Sequence, residues 1–279
     1  MRQTRRRIAL GSAPLVVLLL LASLATGLAG CGRNEAGETI TITGSTTLLT
    51  MTEEAARMYE EEHPGVRVLV QGGGSSAGIE AVATGTSDIG TSSRDLKDDE
   101  NKLGLIDTPV AIDAIALIVN RGNPVEGLTK DEAAAMFMGR IANWSRVGGK
   151  RQNVVLVNRD EASGTREAFS KEVLNEQAFD RYAVILPGTG QVRSVVSEAE
   201  AAIGYISVGF LTDEVKALAL DGVAPTRQNV KAKRYGVQRT LHYFTKGPAT
   251  GLAKDFIDFV LSPRVQKEIV GVEFIPVRE

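Results

Sequence analysis

The chain has 279 residues, 43% of them hydrophobic, with 32 Lys and Arg against 34 Asp and Glu. That length and apolar share allow a large core and favour a division into two lobes. The slight acidic excess excludes the basic surface that nucleic-acid binding demands, and a lone cysteine excludes an internal disulfide.

In chain order, the first 30 residues are of a different kind from the rest. Arg2, Arg5, Arg6 and Arg7 precede an apolar stretch from Ala9 to Ala29 that contains no acid. This is the pattern of a secretory signal, not of a fold element; Arg5-Arg6-Arg7 leaves both the general and the twin-arginine export routes open. The signal ends Leu28-Ala29-Gly30-Cys31, which resembles the lipobox of bacterial lipoproteins. The resemblance implies cleavage before Cys31, lipid on its sulfur, and a chain held at the outer face of the cytoplasmic membrane. The alternative is an ordinary signal, or a transmembrane anchor, with an incidental thiol. Without the leader 28 basic residues face 34 acids, a net charge of about −6. Residues 31–38 are short and polar and suit a tether.

From Thr39 the pattern alternates. Thr39–Thr43 reads as a strand, Thr50–Glu62 as a helix ending near Pro64, and Val66–Val70 as a second strand. Ser75–Ala83 reads as a short helix, Ser87–Ser92 as a third strand, and Val110–Asn120 as a long buried strand. The pattern then restarts. Thr129 caps a helix over Lys130–Met138, with Asp131 and Glu132 in its first turn. Strands follow at Val154–Val157, Ala201–Val208, Val215–Ala219 and Leu241–Phe244, then helices at Gly251–Leu261 and Pro263–Val270. Strands alternating with helices predict an α/β fold with a mainly parallel sheet, in two lobes flanking a cleft.

Three strand-to-helix corners share one chemistry: GSTT at 44–47, QGGGSSAG at 71–78 and RDEASGT at 159–165. Each sets small residues and hydroxyls at a helix N-terminus, where unpaired N–H groups and the macrodipole favour an anion. Plain N-capping explains any one of them; three in one chain favour a shared anion site. Arg159 adds a planar fork suited to two oxygens of an oxyanion. Its alternative is a surface salt bridge with Asp160 or Glu161. The preferred role for Glu161 is to hold the guanidinium side-on and orient it. No Walker motif is present.

The order GSTT, GGGSSAG, DIGTSSR (88–94), RDEASGTR resembles the periplasmic phosphate-binding proteins of ABC import systems. AIDAIALIVN (111–120), FMGRIANW (137–144), AIGYIS (202–207) and FIPV (274–277) fit the same family. The resemblance implies a two-lobed periplasmic-binding-protein fold of type II, with hinge strands, closing over one dehydrated phosphate that is then handed to a membrane permease. On this reading lobe I comprises 39–112 and 240–279 and lobe II 113–239, with hinges at Asp113–Leu117 and near Tyr235–Thr240. Carried over position by position, the phosphate ligands are Ser45, Thr46, Thr47, Ser75, Arg159, Ser163, Gly164 and Thr165. Where family members place an aspartate after the third strand, this chain has Ser93, then Arg94. Hydrogen phosphate carries a proton and needs an acceptor, whereas sulfate does not, so the change bears on selectivity.

Asp113, which interrupts the apolar strand, is the replacement acceptor; the alternative is a structural acid. If it is the acceptor, Asp113→Asn loosens phosphate more than sulfate. Arg94 either contacts ligand or pairs with an acid at the cleft edge. His63 and His242 stand apart, so no metal or other cofactor is expected, and Trp144 reads as packing. No Ser–His–acid spacing marks a nucleophile. The expectation is therefore a monomeric binding protein, not an enzyme. Rival readings are a receptor for sulfate, molybdate or tungstate, a phosphate-clamping hydrolase, and a sensor or adhesion protein without transport.

Overall fold

The structure is a computed structural model that describes residues 37–278. The signal segment 1–30, Cys31 and most of the tether lie outside the described residues. Ile40 and Ile42 alternate with threonines, so β1 (Thr39–Gly44) buries one face. Helix α1 (Leu49–Glu62) lays Met51, Ala55, Ala56 and Tyr59 against that face. There follow β2 (Arg67–Gly72), α2 (Ser75–Thr84) and β3 (Ile89–Ser92). The apolar strand β4 begins earlier than the sequence suggests, spanning Leu105–Asn120. After β5 (Gly127–Leu128), α3 (Lys130–Phe137) starts with the expected cap. The Thr129 hydroxyl accepts from the Glu132 amide, and the Glu132 carboxylate accepts from the Thr129 amide.

The second half contains β6 (Val155–Arg159), α4 (Gly164–Phe169), β7 (Val184–Leu186), α5 (Thr189–Glu198) and β8 (Ala202–Ser207). The apolar run at 215–219 is two short strands, β9 (Val215–Ala217) and β10 (Ala219–Leu220), rather than one. Helix α6 (Arg227–Lys231) leads to β11 (Gln238–Lys246), which is longer than its apolar centre. Helix α7 (Gly251–Val260), a helical segment over 263–270 and β12 (Ile275–Pro276) complete the described chain.

The main sheet runs β2-β1-β3-β11-β4-β8-β6-β7. Its two ends are parallel, β2-β1-β3 and β8-β6-β7. The middle is antiparallel, because β11 returns along β3 and β4, and β4 pairs with β8. The expected mainly parallel sheet thus holds for the two ends and not for the centre. This is the two-lobed α/β fold: one core gathers Ile42, Tyr59, Val110, Leu241 and Phe256, the other Leu117, Phe137, Trp144, Phe169 and Tyr205. Trp144 is core packing, its indole donating to the Ala201 carbonyl at 2.9 Å.

Between the two cores Asp113 of β4 and Arg239 of β11 lie directly opposite in register. On the other side of β4 the C-terminal segment brings Glu273 to a small cavity of about 10 Å³ lined also by Asp113 and Arg227. Burial, reinforced by the negative charge of Asp113, pushes the Glu273 carboxyl up to about 7. A raised carboxyl pKa contributes stability that is fully present below the unfolded value and is lost as pH rises through the folded one. The urea midpoint is therefore expected to fall between about pH 5 and pH 8, and Glu273→Gln to remove that fall. A pH dependence identical in the variant would assign it to other groups.

Candidate functional site

The corners expected from the sequence meet between the two cores. The first lies at the carboxyl end of β1, where the Ser45 amide is held by the Thr91 carbonyl (3.0 Å) and hydroxyl (2.8 Å). The Ser45 hydroxyl accepts from the Thr47 amide at 3.2 Å, so Ser45 shapes the turn, while Thr46 and Thr47 project their hydroxyls across it. At the second corner Gly74 has φ +93°. A Cβ there would meet the Ala162 carbonyl oxygen at 2.6 Å, which lets the second corner abut the third. The Ser75 hydroxyl accepts from the Ser93 amide at 3.0 Å and lies 3.2 Å from the Ser93 hydroxyl. At the third, Ser163 caps α4 by accepting from the Arg166 amide at 3.2 Å. Gly164 and Thr165 are the first residues of that helix, whose amides have no intrahelical acceptor. Hydroxyl capping thus accounts for the third corner's serine; α1 and α2 have no side-chain cap.

The corners touch directly. The Thr47 and Thr165 hydroxyls are 3.1 Å apart. A Cβ on Gly164 would lie 2.3 Å from the Ser75 hydroxyl and 2.9 Å from that of Ser93. Gly164→Ala is accordingly expected to leave the secondary structure intact and to weaken oxyanion binding by tenfold or more, measured by calorimetry. An unchanged affinity would mean that this close approach is not needed for binding.

Arg159, at the end of β6, is 1% exposed. Its Nε donates to the Leu186 carbonyl (3.2 Å) and Nη2 to the Pro187 carbonyl (2.8 Å), which fix the plane of the fork. Nη1 reaches the Thr189 hydroxyl at 3.2 Å and Nη2 the Thr46 hydroxyl at 3.1 Å. Burial lowers its pKa from the ordinary value, opposed by nearby Tyr205 and Asp160, yet a guanidinium remains charged. The role expected of Glu161 is corrected here. Its side chain is 92% exposed and faces Arg166 at 3.8 Å. Backbone carbonyls orient Arg159 instead, because the chain after β7 passes directly over its guanidinium.

Asp113 is also corrected as a free acceptor. Its Oδ2 takes Nε and Nη2 of Arg239 at 2.9 and 2.7 Å, and its Oδ1 takes the Ser207 hydroxyl at 2.7 Å. Both oxygens already accept from side chains rather than from the backbone, which is what the structural-acid alternative expects. Arg94 pairs with acids: Glu100 at 2.6 Å and Glu167 at 2.9 Å.

Sequence reasoning missed two participants. Arg239 sends Nη1 to the Thr165 hydroxyl (2.8 Å) and the Ser93 carbonyl (3.3 Å), and Nη2 to the Thr47 hydroxyl (3.4 Å). Its signal was a cation within an apolar strand, the mirror of Asp113. Thr189 opens α5 beneath Pro187-Gly188, a fourth corner of the same small-residue kind. Its hydroxyl lies 3.4 and 3.5 Å from those of Thr46 and Thr47.

Two guanidinium groups and a ring of hydroxyls, drawn from both sides of β4, form a donor-rich site in which the Asp113 carboxylate is held by Arg239 and Ser207. A model of the PBP superfamily domain matches residues 31–264. The phosphate-binding protein PstS of Bacillus subtilis is 35% identical over 95% of this chain and 94% of its own. The chain belongs to the PstS-like phosphate-binding proteins of the PBP superfamily. PstS of Pseudomonas aeruginosa is 32% identical over 84% of this chain and 81% of its own. A Clostridium perfringens crystal structure with bound phosphate, described as a phosphate ABC transporter substrate-binding protein, superposes with TM-score 0.83 at 37% identity, covering 86% of this chain and all of that one. An ABC-type phosphate transport receptor from Vibrio cholerae gives TM-score 0.72 at 32% identity, with 86% of this chain and 100% of that one covered. In this PstS-like chain Ser93, buried against Ser75, occupies the position expected of an acid.

Proposed function

We propose that this chain captures inorganic phosphate outside the cytoplasm and delivers it to an ABC permease. One observation carries the reading: hydroxyls of Thr46, Thr47, Thr165 and Thr189 converge with the guanidinium groups of Arg159 and Arg239 on one buried point. Such donors replace a phosphate's water shell in a medium of low dielectric, where each bond is strong. Ser75, Ser93, Ser163 and the amides of Gly164 and Thr165 complete the ligand set. A five-atom ligand at about −1.5 kcal/mol per heavy atom gains roughly −7.5 kcal/mol, which is low micromolar. The names of the relatives and the bound phosphate in one of them support the same ligand.

On this reading 39–112 with 240–279 forms one lobe and 113–239 the other. The lobes hinge where β4 and β11 cross between the cores, parting to admit the ligand and closing into the arrangement described. The protein works as a monomer without cofactor or catalysis, tethered by lipid on Cys31. Among the described residues no helix is long and apolar enough to cross a membrane; the lipid anchor rests on the Leu28-Ala29-Gly30-Cys31 sequence alone. Calorimetry tests the capture reading. Phosphate is expected to bind at micromolar or lower dissociation constant, and absence of binding would refute it.

A second reading has one observation in its favour. Ser93 stands in place of an acid, and both Asp113 oxygens already accept hydrogen bonds from Arg239 and Ser207, which weakens the demand for a protonated ligand. Sulfate, molybdate or tungstate then compete with phosphate at comparable concentration, and calorimetry with each anion decides between the readings.

A further inference from the structure

A groove of about 1030 Å³ runs between the lobes and ends at Ser163 and Arg239. Two residues beyond Thr165 on the same helix, Glu167 stands across it. Its carboxylate pairs with Arg94 Nε at 2.9 Å and Lys97 Nζ at 3.0 Å, both from the segment that follows β3 on the opposite lobe. Arg94 is 5% exposed although it lies at the groove. The Nε contact with Glu167 is an ion pair without hydrogen-bond geometry, whereas Nη1 and Nη2 donate to the Glu100 carboxylate (2.6 and 2.8 Å), the Asp95 carbonyl (2.8 Å) and the Ser76 hydroxyl (3.2 Å). Two cations and two carboxylates therefore balance. Arg94 is fixed from its own side by Glu100 and Ser76, next to the corner that supplies Ser75. Glu167 is the one member contributed by the other lobe.

We propose that Glu167 is a positioning residue that latches the lobes over a captured oxyanion and sets how long it stays. The proposal rests on the capture reading above. Glu167 touches none of the corner hydroxyls, so its effect falls on the closed state rather than on ligand contacts. Opening separates the Glu167 carboxylate from a nearly buried guanidinium and from the Lys97 ammonium, and the exposure of Glu167 (34%) and Lys97 (46%) lets salt weaken the latch. Removing the carboxylate also makes the groove less negative, which favours anion entry. Dissociation should therefore change more than association.

The test follows release of radiolabelled phosphate from the full-length protein into excess unlabelled phosphate, together with the association rate. Glu167→Gln is expected to speed release about tenfold and to change association by less than about threefold. Lys97→Met, at an exposed position, is expected to speed release by a smaller factor. Rising salt should accelerate release from the wild type and leave the Glu167→Gln rate nearly constant. Glu161→Gln, on the same corner but solvent-exposed, serves as the control and should behave as wild type. If the wild type binds phosphate and Glu167→Gln releases it at the wild-type rate, the latch is refuted while the capture reading stands. If the wild type binds no phosphate, it is the capture reading that fails.

Discussion

Arg159→Ala is expected to weaken phosphate binding by at least about a hundredfold. The guanidinium is one of two fixed cations at the site and its plane is set by the Leu186 and Pro187 carbonyls. Bonds to a charged group are each worth about 1.5–3 kcal/mol, and two of them amount to a hundredfold or more. Truncation also leaves those two carbonyls without their donor, so some loss of stability accompanies the loss of affinity. Arg159→Lys separates the effects. It keeps a charge but loses the planar fork, so it should retain more stability than alanine and still bind at least tenfold more weakly than wild type. Calorimetry and urea denaturation on the same preparations give both quantities. Wild-type affinity in either variant would place Arg159 outside the site.

The Asp113–Arg239 pair should show the second large effect. Asp113 is 3% exposed and Arg239 9%, so each is the other's main compensation. Removing one partner of a buried pair leaves an uncompensated charge and costs about 3–5 kcal/mol, whereas replacing both by apolar residues is often near neutral. Asp113→Ala is expected to fall in that range by urea denaturation. The double variant Asp113→Leu with Arg239→Met should recover most of the lost stability and none of the lost binding. The reason is that Arg239 also reaches Thr47 and Thr165, whose hydroxyls it holds in place. Affinity for phosphate and for sulfate should fall together in Asp113→Asn, to within about threefold. A loss confined to phosphate would restore Asp113 as the proton acceptor and overturn its assignment as the anchor of Arg239.

The two results would separate orientation from contact, which the sequence could not do. Of the two readings of Arg159, a surface salt bridge is not what forms, since the side chain is buried and held by the Leu186 and Pro187 carbonyls; its contact with the ligand remains the proposal that the first result tests. Glu161 was misassigned because a spacing of two residues places a side chain near a guanidinium only if the chain turns inward. Here it turns out to solvent, and the carbonyls of Leu186 and Pro187, at and just after the end of β7, take the orienting role. The strand β7 and helix α5 had gone unrecognised, since Val184-Ile185-Leu186 is short and Thr189–Glu198 is polar on most of its surface. Thr189 was lost with them. Arg239 carried only the weak signal of a charge in an apolar strand, and its meaning came from the register that sets it opposite Asp113.

By itself the sequence determined what depends on local physics. Periodicity gave most strands and helices, hydroxyl-rich corners at helix starts gave an anion chemistry, and Thr129 with Glu132 gave a cap that formed as written. Tertiary structure alone decided which of those corners meet, what orients each cation, and which acid is free. Those outcomes depend on strand order and on the antiparallel return of β11 between β3 and β4. That return brings together residues more than a hundred positions apart, across a separation that no local pattern encodes.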